Sequence, residues 1–206
     1  MICWLNEYVA TRLKDKYKQM NSVKKSSKFP LLSIMLFLSI IFMQACSATG
    51  KPEGITPISG FDLNRYLGTW YEIARLDHKF ERGLEQVTAN YSLNADSTVK
   101  VINRGFSVSK KEWEQAVGKA QFVGNTDEGH LKVSFFGPFY GSYIVFDLDE
   151  ANYQYALVSG PDKSYLWVLS RTPALDSDIY NNLVSKAEAA GFDTSQQIKV
   201  RQQPDS

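Results

Sequence analysis

The chain has 206 residues, 23 Lys and Arg against 22 Asp and Glu, 44% hydrophobic residues and two cysteines. That length suits one domain plus extra sequence, the near-neutral balance argues against a nucleic-acid binder, and two cysteines are too few for a disulfide-built scaffold. The extra sequence is at the front. Residues 31–43 (LLSIMLFLSIIFM) carry no charge, follow Lys24, Lys25 and Lys28, and give way after Cys46 to polar sequence. An apolar run this short falls below the roughly 20 residues of a spanning helix and fits a secretory signal. Residues 1–19 are too long and polar for an ordinary leader start, so translation is expected to begin at Met20.

The run MQACS, residues 43–47, resembles the lipobox of bacterial lipoproteins, with Met43 and Gln44 departing from the usual residues. The resemblance implies that Cys46 becomes the lipid-modified first residue of the mature chain. Ser47 after it implies sorting to the outer membrane, on the periplasmic side. Residues 46–206 hold 16 Lys and Arg against 20 Asp and Glu and a single cysteine, which leaves no intrachain disulfide and no thiol nucleophile. The expected organisation is therefore an extension and signal over 1–45, a Gly- and Pro-rich flexible tether over 46–60, and one domain over 61–206.

Within the domain, turn-bounded runs predict strands over 69–77, 86–94, 98–106, 113–123, 130–136, 142–148, 153–159 and 164–171. The fold class that follows is all-β, an eight-stranded antiparallel up-and-down barrel, because closing such a meander removes its edges. The second and fifth strands alternate apolar with polar and so have a wet face. The first, sixth, seventh and eighth are apolar on both faces and need a cover. Residues 176–191 supply it: Asp176 reads as an N-cap, Ile179, Leu183, Ala187 and Ala190 recur at helical spacing, and Gly191 ends the helix. IKVRQ, 198–202, then adds a short ninth strand.

Gly68, Thr69 and Trp70 on the first strand, the YALV run at 155–158, and Arg171 at the end of the eighth strand give this chain a resemblance to the lipocalin family. FDLNRYLGTWYEIARLDHKFERGLE and KVSFFGPFYG are closer still to the bacterial outer-membrane lipoprotein branch, related to apolipoprotein D. The resemblance implies that Gly68, Trp70 and Arg171 are a structural signature, with the arginine packed across the tryptophan at the closed end, and that the barrel encloses a cavity. Alternation alone leaves a filled core and a cavity equally open.

With Trp70 and Arg171 inward, period two places Ala89, Tyr91 and Leu93, then Val99, Val101 and Asn103, then Ala116, Gly118 and Ala120, then Leu131, Val133 and Phe135, and finally Trp167 and Leu169 inside. Family analogy adds Ile144 and Phe146; the seventh strand gives no choice. The candidate ligand-binding set is thus Tyr91, Val101, Asn103, Ala120, Val133, Phe135, Ile144, Phe146, Trp167 and Leu169. Such a lining suits an acyl chain, with Tyr91 and Asn103 offering hydrogen bonds to a head group. Residues 77–85 read as a lid over the mouth. Phe136, Phe139 and Tyr140 form a second mouth element, expected to pack on the lid, the alternative being an exposed partner or membrane surface.

His78 reads as a lid residue and His130 as a turn residue in solvent. Ser107 and Lys110 match S-x-x-K only in a polar hairpin, Glu112 and Glu114 lie on a solvated edge, and no catalytic motif appears. The expectation is no enzyme activity, no cofactor and no metal. The resemblance implies a homodimer that carries lysophospholipids or fatty acids and holds the membrane through its lipid anchor. A hydrolase or isomerase using the same cavity and a structural envelope lipoprotein are the competing readings.

Overall fold

The computed structural model describes residues 49–202; the signal run, Met20 and Cys46 lie outside the described residues. A one-turn helix α1 (Leu63–Tyr66) leads into β1 (Gly68–Leu76), β2 (Leu84–Leu93), β3 (Val99–Ser107), β4 (Glu112–Phe122), β5 (His130–Phe136), β6 (Phe139–Leu148), β7 (Tyr155–Ser159) and β8 (Leu166–Ser170), then α2 (Ser177–Ala189) and β9 (Gln197–Lys199). From β1 to β8 each strand pairs antiparallel with the next, and β1 also pairs with β8, which closes the eight-stranded barrel.

Closure along the β1–β2 seam is partial. β1 pairs with β2 only over Gly68–Tyr71. Higher up, β9 takes that edge of β1 through Ala74, Arg75 and Leu76. The chain beyond β9 then bridges the gap: Val200 N donates to Ile73 O at 2.9 Å, Gln86 N donates to Arg201 O at 2.8 Å, and Gln202 Nε2 donates to Glu72 O at 2.8 Å and Val87 O at 3.0 Å. Val200 packs with Leu84 and Val87, and Arg201 pairs with Glu85.

Besides the small seam cluster of Leu84, Val87 and Val200, two larger apolar clusters divide the strands' side chains. One fills the barrel interior around Trp70, Tyr91, Val101, Trp167 and Leu169. The other lies outside, under α2, and unites Ala74, Leu76, Ile144, Leu157, Leu166 and Val168 with Leu183 and Ala187. Ile144 and Phe146 belong to this outer cluster, so their expected place in the lumen is corrected: Tyr143 and Val145 point inward. A bulge between Val145 and Asp147 shifts the register there, and on a strand apolar on both sides alternation cannot say which face is which. On β7 it is Ala156 and Val158 that face in. Leu93, expected inside, is 52% exposed at the end of β2.

α2 is capped at both ends by the residues the sequence supplies. Asp176 accepts hydrogen bonds from the backbone of Asp178 and Ile179. Gly191 sits at φ +86°, with Gly191 N bonded to Glu188 O and Phe192 N to Ala187 O, a left-handed turn that carries Phe192 back onto Phe146, ring centroids 5.6 Å apart. Asp176→Ala is expected to cost about 1 kcal/mol, read as a lower midpoint in denaturant unfolding.

The tether expected over 46–60 is corrected from residue 49 onward. Ser142 Oγ donates to Gly50 O at 2.6 Å, Ile55 is buried in the outer cluster, Ile58 N donates to Val145 O at 3.0 Å, and Ser59 bridges to Glu128. Ile55 and Ile58 are the reason: a polar-looking segment with two large apolar side chains finds burial on the barrel wall.

Candidate functional site

The closed end is built around Trp70, which is fully buried. Its Nε1 donates to Tyr66 O at 2.8 Å, and the Arg171 guanidinium carbon lies 4.0 Å from its ring centre. Arg171 also donates to three carbonyls: Nη1 to Thr69 at 3.0 Å, Nη2 to Arg65 at 2.7 Å and Nε to Tyr153 at 3.2 Å. A cation on an aromatic face thus also gathers the ends of α1, β1 and the β6–β7 turn. Gly68, at φ +93°, would place a Cβ 3.4 Å from Arg171 Nη1.

Above this floor lies an apolar cavity lined by Leu63, Tyr66, Tyr91, Val101, Val133 and Tyr143 among others, with Ala120 and Phe135 in its wall. Its volume is about 20 Å³. That is room for about one water at rest. The Phe135 ring fills the hollow left by Gly118, where an added Cβ would come within 2.8 Å of the ring. Tyr143 OH holds Tyr66 OH at 2.7 Å and receives a hydrogen bond from Tyr91 OH at 2.9 Å. Burial pushes all three phenols above their usual range, so they stay protonated.

Toward the mouth the lumen turns polar. Arg75 Nη1 donates to Glu72 Oε1 at 2.7 Å, and its Nη2 donates to Glu81 O at 2.7 Å, which pulls the 77–83 loop down into the barrel opening. Trp167 Nε1 donates to Glu81 Oε2 at 3.0 Å. His78, ringed by Phe80, Tyr165 and Trp167 at 4.8 to 5.0 Å, places Nε2 3.0 Å from Leu76 O, so the proton sits on Nε2. Burial, aided by the Arg75 charge, pulls His78 down to about 4 and leaves it neutral. Burial and then the Glu81 carboxylate push Glu72 up to about 7 against the pull of Arg75. Arg75 Nε and Asn103 Oδ1 are buried without a hydrogen-bond partner. Such groups cost about 1–3 kcal/mol each and are the polar atoms a ligand could satisfy.

Of the sequence-derived set, Tyr91, Val101, Ala120, Val133 and Phe135 surround the cavity, Leu169 belongs to the interior cluster, and Asn103 and Trp167 lie higher in the lumen. Ile144 and Phe146 do not join them. Both histidines are buried, His130 against the expectation of a solvated turn residue. Phe136 and Phe139 are 48% and 42% exposed at the mouth, against the expectation that they pack on the lid. The residues the sequence reading missed are Tyr66, Glu72, Arg75, Glu81 and Tyr143. Glu72 was visible, two positions after inward Trp70. Arg75 was hidden by a bulge between Glu72 and Ala74 that turns it inward and sends Ala74 outward.

Residues 61–202 match the model of the lipocalin-like domain. The outer membrane lipoprotein Blc of Vibrio cholerae serotype O1 is 53% identical over 171 residues, covering 83% of this chain and 99% of that protein. The outer membrane lipoprotein Blc of Escherichia coli K12 is 53% identical over 158 residues, covering 77% of this chain and 89% of that protein. Insecticyanin from the tobacco hornworm Manduca sexta, a solved structure, shares the fold with a TM-score of 0.61 at 21% identity, covering 75% of this chain and 87% of that one.

Proposed function

The chain belongs to the lipocalin family, and from that premise we propose that it is a lipid-anchored outer-membrane carrier of lysophospholipids or fatty acids, held by Cys46 and facing the periplasm. One observation supports this best: an apolar lumen topped by buried, incompletely paired polar groups, Arg75 Nε and Asn103 Oδ1 among them. A single-chain amphiphile has that same division between tail and head. Its tail lies against Val101, Ala120 and Val133, and its phosphate or carboxylate meets the Arg75 guanidinium. Because the resting cavity is narrow, entry requires Phe135 to swing off Gly118.

Native mass spectrometry of the purified protein with a monoacyl lysophospholipid tests the reading. One intact ligand per chain is expected, and the same spectrum reads the homodimer that the resemblance implies. Released fatty acid would mean a hydrolase, and an empty barrel would mean a structural lipoprotein. Phe135→Asp sets a half-buried charge beside the tail and is expected to weaken binding about 100-fold while the far-ultraviolet circular dichroism stays unchanged. Undiminished binding in that variant would remove the lumen from the account.

A further inference from the structure

The described chain begins close to the point where the lipid anchor of the preceding section would lie. Gly50 is fixed on the barrel wall by Ser142, and Cys46 is four residues before it. Four residues span at most about 14 Å. Along β6, Phe139 at the mouth is three residues from Ser142, about 10 Å, whereas Leu148 at the closed end is six residues away, about 20 Å. The reach of the Cys46 anchor therefore covers the mouth end of β6 and falls short of its closed end.

Large apolar side chains stand in water on the mouth rim, and its two phenylalanines are paired there, whereas the other exposed apolar residues, Val108 excepted, are spread over the wall and the closed end. Phe136 and Phe139 face each other across the β5–β6 hairpin, 48% and 42% exposed. At the tip of the β3–β4 hairpin, on the same end of the barrel, Val108 is 47% exposed beside the exposed Lys111. Lys132 Nζ sits 5.1 Å from the Tyr140 ring centre just below the hairpin tip. Aromatic and aliphatic tips flanked by lysines are the composition that settles at a phospholipid boundary, with rings among the acyl carbons and ammonium groups among the phosphates.

We propose that the mouth rim, led by Phe136 and Phe139, docks on the phospholipid leaflet that holds the Cys46 anchor, so that lipid passes between leaflet and lumen without crossing bulk water. The proposal rests on the lipid-anchored carrier reading, and its test separates the two. The lipidated protein is purified from bacterial membranes and reconstituted in phosphatidylethanolamine–phosphatidylglycerol vesicles. Two quantities are then measured for the natural chain and for the double variant Phe136→Asp, Phe139→Asp: the rate at which a fluorescent lysophospholipid leaves the vesicles for the lumen, and the affinity for the same lysophospholipid dissolved as a monomer.

Docking predicts a transfer rate lowered about tenfold in the variant at unchanged monomer affinity. Equal rates in the two proteins overturn the docking and leave the carrier intact. Absence of monomer binding in the natural chain overturns the carrier and the docking with it. A variant that loses dimers in native mass spectrometry at an unchanged rate assigns the rim to a second copy and overturns the proposal. As an independent reading, Phe139→Trp in vesicles of brominated phospholipid is expected to add fluorescence that the bromine quenches; added fluorescence that stays unquenched also overturns it.

Discussion

Replacing Trp70 by alanine is expected to lower the stability of the fold by about 4 kcal/mol, a large part of the 5–15 kcal/mol that holds a domain together. The indole is fully buried, so its removal leaves a hole in the barrel floor. Three further interactions go with it: the hydrogen bond to Tyr66 O, the ring contact with Tyr66 at a centroid distance of 4.7 Å, and the seat of the Arg171 guanidinium. Arg171 would remain tied to the carbonyls of Arg65, Thr69 and Tyr153, so Arg171 alone cannot compensate. Denaturant titration provides the measure, with Trp70→Phe as the conservative partner expected to lose roughly half as much. An unfolding free energy within about 1 kcal/mol of the natural chain's would show that the signature tryptophan does not brace the floor.

The second large effect is a pH dependence that steepens when one of two opposing residues is removed. Glu72 binds its proton more tightly in the folded chain, about 7 against its ordinary 4.5, so its contribution is complete below about 4.5 and is lost as pH rises toward 7. His78 binds its proton less tightly when folded, about 4 against its ordinary 6.5, so its contribution is complete above about 6.5 and is lost as pH falls toward 4. Each shift corresponds to on the order of 3 kcal/mol. Between about 4.5 and 6.5 these two slopes oppose each other, so the natural chain should show a shallower profile than either single variant. Glu72→Gln, which keeps an acceptor for Arg75, should lose stability on acidification. His78→Phe, which keeps the ring among Phe80, Tyr165 and Trp167, should lose stability as pH rises from 4.5 to 7. Urea unfolding at several pH values reads all three profiles, and parallel flat profiles in both variants would contradict the buried geometry of the pair.

The layout of eight strands, an outer helix and a ninth strand was legible because its signals are local. Alternation along β2 and β5, the cap at Asp176 and the glycine at 191 each act over a few residues. The cavity wall on β3, β4 and β5 was legible for the same reason: Val101, Ala120 and Val133 follow from period two without interruption. What failed were the strands apolar on both faces and those that slip register. One inserted residue near Ile73 moves Arg75 into the lumen, and another near Phe146 accompanies a β6 whose inner face is Tyr143 and Val145. A bulge has no composition of its own in a strand already rich in apolar residues, so Arg75, the centre of the polar layer, stayed hidden. The two buried histidines escaped for a different reason: His78 sits in the segment that reads as a lid and His130 at the turn end of β5, and only packing against the barrel buries them.

The order in which the wall is completed follows from the seam between β1 and β2. Every other junction joins strands that are neighbours along the chain or, at β1–β8, needs residue 170. The upper part of this one waits for residues 200–202, the first of which is synthesised 132 residues after β1 begins at Gly68. A nascent molecule cut short before residue 200 would already hold its floor and helix but would carry a slit down one side, with the backbone of Ile73 and Gln86 open to any extended peptide nearby. Residues 200–202 thus act as a zip fastener, and until they are in place the unfinished edge of β1 and β2 stays open.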